Sequence, residues 1–313
     1  MAREKVKLPK LEGLKWPTKE SVWTGLTANH FKWIYEPVSI LLIALSYYSH
    51  KYFYDNRQAF GISEKWAFSI ACWVPGLVGF WFFGFAFLAL DYFTKEEGKL
   101  YKQRTTVPVR KMLPILLRNH FLHLAICPFL TVKLFDWAQI EPRAPGEETF
   151  INIFISCVLC GLAFEVTFFF CHYLEHMFPS VYRNCHLLHH TTKADIALSG
   201  YYMTVIDYFG EGPIPMMMQL LPTIFFRSSS TAVIHGIYLN ILYATTVHSG
   251  WRVPGVSHPG MHWLHHNHIT KVGEAINYAT HFDLMDLLWN TKSYKYLEVE
   301  KQLNEERAAQ KQK

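Results

Sequence analysis

Long apolar stretches alternate with short charged ones along this chain, and their lengths set the first expectation. Trp66 to Leu90 runs without a charged residue until Asp91, which exceeds the roughly 20 apolar residues a helix needs to cross a bilayer. Phe150 to Cys171 is equally apolar apart from Glu165. Trp33 to Tyr48 is shorter, Asn119 to Trp137 is interrupted by Lys133 and Asp136, and Thr231 to Val247 is a further candidate. The pattern predicts an all-α fold, a polytopic membrane helix bundle.

Basic residues in the short connections give its expected orientation, because Lys and Arg accumulate on the cytoplasmic side. Arg3, Lys5, Lys7, Lys10, Lys15 and Lys19 precede the first apolar stretch, and Lys95, Lys99, Lys102, Arg104, Arg110, Lys111 and Arg118 follow the second. The other connections are poorer: Lys51, Arg57 and Lys65 in one, and Arg143 beside three glutamates in Ala138 to Thr149. Four crossings would return the chain after Cys171 to the basic side. If Pro213 to Val247 forms a re-entrant hairpin or closely paired helices, the rest stays there, and both termini are expected in the cytosol. No N-terminal apolar region with a small-residue cleavage site is present, so no secretory signal is expected. The charged stretch 292–313 reads as a solvated or disordered tail.

Composition changes this picture little. A 313-residue chain that is 50% hydrophobic and 16% aromatic could also build a large soluble core, so the local runs decide the class. The net charge of +5 is read through the membrane topology, and no nucleic-acid partner is expected. Cys72, Cys127, Cys157, Cys160 and Cys171 lie in apolar surroundings, where a cysteine acts as a small hydrophobe. Cys157-Val-Leu-Cys160 has the spacing of half a zinc site, but no second pair follows. Neither repeats nor a composition break divides the chain, so residues 1–313 are expected to form a single integral-membrane domain.

The chemistry lies in three histidine boxes: His172-Tyr-Leu-Glu-His176, His186-Leu-Leu-His189-His190 and His262-Trp-Leu-His265-His266. Residues at i, i+3 and i+4 share a helix face, so each box presents two or three imidazoles toward one point. A lone histidine is more often an ordinary packed or surface residue, but burying eight unpaired would be costly. One mononuclear site uses about three or four ligands, so eight imply two metals. Imidazole suits Zn, Cu, Fe and Ni alike. Hydrolytic zinc pairs usually include carboxylates, whereas a histidine-rich pair carries little ligand charge, which favours oxidation as the task.

These boxes, with His248-Ser-Gly-Trp before the last and Asn277-Tyr278 and Asp286-Leu-Leu-Trp-Asn-Thr291 after it, resemble the fatty acid hydroxylase and sterol desaturase superfamily. The resemblance spans residues 150–291, the expected catalytic region. It implies a cytosol-facing di-iron centre that uses dioxygen and electrons, commonly from cytochrome b5 or its reductase and NAD(P)H, to hydroxylate or desaturate a sterol or fatty acyl lipid. It further implies that His172, His176, His186, His189, His190, His262, His265 and His266 are metal ligands, with His248 as a ninth. The His-Ser-Gly form is closer to C4-methylsterol oxidases and cholesterol 25-hydroxylases than to C5-desaturases. The implied place is the membrane of the endoplasmic reticulum or of another organelle.

One departure stands out. Many relatives carry His-Pro-Xaa-Glu/Asp about fifteen residues after the second box, where this chain reads Thr204-Val205-Ile206-Asp207. His258 and His281 are candidates to replace the missing imidazole, or ordinary loop residues, and His268 could add an outer contact. Glu165, two turns before His172, could accept a hydrogen bond from a ligand ring or be a protonated acid bonded within the bundle. Asp195, Asp207 and Asp286 are comparable outer partners, and Glu175 is expected to point away from the metals. His235 reads as a hydrogen-bonded core residue. Phe168, Phe169, Phe170, Tyr201 and Tyr202 could line a lipid route or simply pack against the bilayer. Two other functions compete: a different metal-dependent lipid enzyme, such as one cleaving ethers, and a non-catalytic relative serving as a structural subunit of a membrane complex.

Overall fold

The computed structural model describes residues 37–102, 104–253, 259–267, 276–280, 283–301 and 305. His258, His268, His281 and the N-terminal basic stretch lie outside the described residues. Among the described residues all regular structure is helical. Four long helices come first, α1 (Pro37–Asp55), α2 (Glu64–Thr94), α3 (Val109–Ala138) and α4 (Phe150–Met177). They are followed by α5 (Val205–Glu211), α6 (Ser230–Val247), α7 (Pro259–Asn267) and α8 (Leu284–Leu288), with short helical turns between.

The long apolar runs become helices because a backbone in hydrocarbon must satisfy its own hydrogen bonds. Among the described residues α2, α3 and α4 are long and apolar enough to cross a membrane. Large apolar side chains on them are exposed, among them Val78, Phe82, Leu117, Phe121, Ile151 and Ile155. That is the surface lipid would cover.

The apolar run Thr231 to Val247 has a different fate. Every residue of α6 except Ala244 is buried, and the helix packs against α1, α2 and α4. Its polar side chains explain why protein, not lipid, surrounds it. His235 Nε2 lies 3.1 Å from Ser39 Oγ of α1, and Tyr238 donates its hydroxyl to the Ala71 carbonyl of α2 at 2.8 Å. Caps set the helix starts: Ser63 Oγ accepts from Trp66 N, Thr149 Oγ1 from Asn152 N and Ser229 Oγ from Ala232 N. Across α2 and α3, Ser69 donates to the Pro128 carbonyl and Trp73 to Thr131, at 2.9 Å each.

The stretch after α2 folds beneath the bundle. Lys99 is fully buried, yet its ammonium meets Asp91, Glu96 and the Asp195 carbonyl, so its charge is compensated. Asp195 itself accepts from the backbone N–H groups of Arg104 and Thr105 and from the Thr105 hydroxyl. Its carboxylate therefore ties the basic loop to the segment after the second box, and it is not the histidine partner expected from the sequence. All six cysteines are unpaired.

Candidate metal centre

Helix α4 sets His172 and His176 one turn apart on one face, both buried. A π-helical turn at Tyr182–His186, followed directly by helical residues Leu187–His190, delivers the second box. Such wide turns occur often where a chain must re-aim side chains at a functional site. His248 ends α6, and α7 carries the third box.

The three boxes meet. Ring nitrogens of His172, His176, His186, His190 and His265 converge in one group, and those of His189, His248, His262 and His266 in a second. The inner contacts are short: His265 Nε2 lies 3.0 Å from His172 Nε2, 3.1 Å from His176 Nε2 and 3.2 Å from His190 Nε2. In the second group His262 Nε2 lies 2.9 Å from His248 Nε2 and 3.0 Å from His266 Nε2. The groups abut, with the His190 and His266 rings stacked at 4.4 Å.

The outer nitrogens show what these contacts mean. His172 Nδ1–H donates to the Tyr278 carbonyl at 2.9 Å, and His265 Nδ1–H to the Ile276 carbonyl at 2.8 Å. A carbonyl can only accept, so both rings carry their proton outside and turn an Nε2 lone pair inward. Two lone pairs facing each other at 3.0 Å repel unless a cation lies between them. His248 and His266 are fixed the same way, by the Ala244 and Thr192 carbonyls at 2.8 and 3.1 Å. His186 Nδ1 faces Asp207 Oδ1 at 2.9 Å. The donor set thus fits two metal ions, with outer partners that orient the ligands.

Burial keeps the imidazoles neutral, the form that binds metal. It lowers His186 and His248 to about 4 and His265 to about 3. A histidine held below its ordinary value of 6.5 contributes stability above that value and loses it as pH falls through the folded one. Metal retention by the purified protein, followed by elemental analysis after dialysis, is therefore expected to hold at pH 7 and to be lost between about 6.5 and about 4.

Thr204 has a structural task. Its hydroxyl donates to the Cys185 carbonyl in the π turn at 3.0 Å and accepts from Asp207 N at 3.3 Å, capping α5. It thereby aims Asp207 at His186. Among the described residues nine imidazoles converge without one from position 204. Thr204→Ala is expected to cost about 1 kcal/mol of stability, the usual worth of a cap, whereas Thr204→Ser should stay near the parent in thermal unfolding and metal content.

Asp207 meets a ligand ring as expected, and the other carboxylates find partners of their own. Glu165 meets Thr280, whose hydroxyl donates to Oε2 at 2.8 Å, not a histidine ring. Asp286 accepts from Tyr278 N and Ala279 N at 2.9 Å each and from the Thr291 hydroxyl at 2.7 Å. It holds the strip whose carbonyls orient His172 and His265. Glu175 turns away from the inner nitrogens, but not to solvent: it is buried, with Oε2 3.6 Å from His186 Nδ1. Sequence reasoning missed Glu211, whose Oε1 lies 3.4 Å from both His172 Nε2 and His186 Nδ1. The available signal was its place four residues after Asp207, on the same helix face.

A small cleft opens beside the second histidine group. Phe164, Phe168, Tyr201, Met216 and Val247 give it an apolar wall, and His248, His262 and Glu211 reach it. Of the other aromatic residues considered, Phe169 packs against Tyr173 and Phe170 is partly exposed against Trp289. Gly200 makes the close approach possible: a Cβ there would stand 2.8 Å from the Ala244 carbonyl oxygen and 3.3 Å from His248 Nδ1.

Comparison with known proteins agrees with this geometry. Residues 157–291 match the family model for fatty acid hydroxylases. Human cholesterol 25-hydroxylase is 28% identical over 193 residues, covering 58% of this chain and 67% of that protein. The rat cholesterol 25-hydroxylase is 28% identical, covering 56% and 60%, and a fatty acid hydroxylase of Mycosarcoma maydis is 23% identical, covering 62% and 49%. The aligned stretch thus spans between about half and two thirds of these relatives. No solved structure gives a significant match. The nine histidines that converge among the described residues all lie within residues 157–291, the stretch that matches the fatty acid hydroxylase model.

Proposed function

We propose that this protein is a membrane lipid hydroxylase whose two histidine groups each hold an iron ion. The observation that carries this is the inward lone pairs of His172 and His265, 3.0 Å apart with both outer protons engaged by carbonyls. Only neutral nitrogen donors surround the inner positions of the two groups, which suits a redox metal. The cholesterol 25-hydroxylases among the relatives favour a sterol or similarly apolar lipid. Iron held here supplies the capacity to reduce dioxygen and oxidise an unactivated C–H bond. Overall, one oxygen atom enters the C–H bond as a hydroxyl and the other leaves as water, with two electrons and two protons consumed.

The residues of the chain do the rest. Phe164, Phe168 and Val247 exclude water and hold the hydrocarbon in the cleft, which His248 and His262 border, so a bound C–H bond sits beside the second group. Electrons come from a donor such as cytochrome b5 or its reductase, drawing on NAD(P)H. We place the centre on the cytosolic side of the endoplasmic reticulum, or of another organelle membrane, with both termini cytosolic. The test is turnover of purified protein with a reductase, NADPH, isotopically labelled dioxygen and a panel of sterols and acyl lipids. A lipid product carrying one labelled oxygen is expected; iron-loaded, reducible protein that labels no lipid would overturn the assignment.

A further inference from the structure

Tyr208 follows Asp207 in α5, and the Asp207 carboxylate holds the His186 ring at 2.9 Å. A hydrogen bond and a peptide link therefore join Tyr208 to the metal centre. Its hydroxyl meets His123 Nδ1 of α3 at 2.8 Å, and both side chains are 1% exposed. His123 Nε2 has no hydrogen-bond partner among the described residues. If Nδ1 carried the ring proton, the phenol O–H and the Nε2 lone pair would both be buried unmet; with the phenol donating, only the Nε2–H is. Tyr208 therefore donates to a neutral imidazole that can take its proton. Other phenols near the centre lack such an acceptor. The Tyr182 and Tyr278 rings lie 5.3 Å from that of His176, yet neither hydroxyl has a hydrogen bond among the described residues. Tyr201, 5.2 Å from Tyr208, has a buried hydroxyl with no partner among them either.

Resting on the di-iron reading above, we propose that Tyr208 and His123 form a redox-active pair that gives the centre an electron when dioxygen is reduced with no lipid in the cleft. Hydroxylation draws two of the four electrons that dioxygen needs from the C–H bond. Without a lipid those two must come from elsewhere before the buried imidazoles are attacked, the ferrous pair supplying the rest. Tyr208 gives one and the external donor the other. The phenol O–H bond breaks, its proton moves to His123 Nδ1, the electron passes through Asp207 and His186 to oxidised iron, and a neutral tyrosyl radical remains. A further electron from the donor, with the proton returned from His123, restores the phenol. Dioxygen leaves as two waters, their four protons drawn from solvent. Because the proton has an acceptor in place, the phenol never becomes a buried cation, which would be costly.

Rapid freeze-quench EPR tests this. The iron-loaded, anaerobically reduced full chain, with no lipid substrate added, is mixed with dioxygen, and signals are compared per iron bound. An organic-radical signal that narrows in protein grown on ring-deuterated tyrosine is expected in the parent. It should be retained in Tyr201→Phe, absent in Tyr208→Phe and about 100-fold slower to form in His123→Leu, within the range a positioned proton acceptor contributes. A parent whose two irons are oxidised by dioxygen without a tyrosyl signal would overturn this inference alone. So would a signal that survives Tyr208→Phe, vanishes in Tyr201→Phe or forms at the parent rate in His123→Leu. A parent that holds no iron, or whose iron dioxygen leaves reduced, would bring down the di-iron reading and this inference with it. The metal-free protein gives a readout independent of turnover: the infrared difference between parent and Tyr208→Phe should show a phenol that donates its hydrogen bond, and one that accepts instead would rule out the proton transfer to His123.

Discussion

His265→Ala and His189→Ala are each expected to abolish lipid oxidation while the helix bundle persists. His265 Nε2 touches three other imidazoles of its group, and His189 Nε2 lies 3.1 and 3.3 Å from those of His266 and His248. Removing either takes away a donor at the middle of a group, so the loss should exceed the about 10–100-fold typical of outer partners. The membrane helices bury their own apolar cores, as with Phe68, Trp73 and Phe80 of α2, and no single imidazole holds them together. Product analysis by mass spectrometry, with circular dichroism to confirm helix content, checks both parts. Retained product formation at normal expression would show that the boxes are not the reaction centre.

Asp286→Ala is the second large effect expected, and it acts at a distance. Among the described residues the carboxylate touches no histidine; it holds Tyr278 N, Ala279 N and the Thr291 hydroxyl. Losing it leaves two buried backbone N–H groups unmet, at about 1–3 kcal/mol each. The strip 276–280 then no longer presents its carbonyls to His172 and His265. Metal affinity should fall about 10–100-fold, read by competition with a chelator, and Asp286→Asn, which keeps one acceptor oxygen, should recover part of it. A variant that binds metal like the parent would mean that the Tyr278 and Ile276 carbonyls do not orient the ligands.

Much of this centre was legible in the sequence because helical spacing is a local property. His172 and His176, and likewise His186 and His190, lie four residues apart and meet in one group, while His189 turns to the other, and the apolar run ahead of His172 had to become the helix that presents it. What was not legible depends on tertiary placement. An apolar run alone does not distinguish a lipid-facing helix from a buried one, and α6 shows it: Thr231 to Val247 reads like another crossing but forms the packed centre of the fold. Thr204 read as a lost imidazole because motif comparison sees residue type and not the capping bonds to Asp207 N and the Cys185 carbonyl. Asp195 looked like a histidine partner by proximity to the second box, yet its carboxylate is spent on Arg104 and Thr105, some ninety residues earlier in the chain. Glu211 had only its place four residues after Asp207 to mark it, since it reaches His172 only when α5 packs against α4.

Elemental analysis of the purified, detergent-solubilised chain, combined with Mössbauer spectroscopy after growth on labelled iron, tests the central claim most directly. The account predicts two irons per chain in two distinguishable environments, with both lost as the pH falls from about 6.5 through about 4. A folded chain that binds one metal, or none, would contradict it.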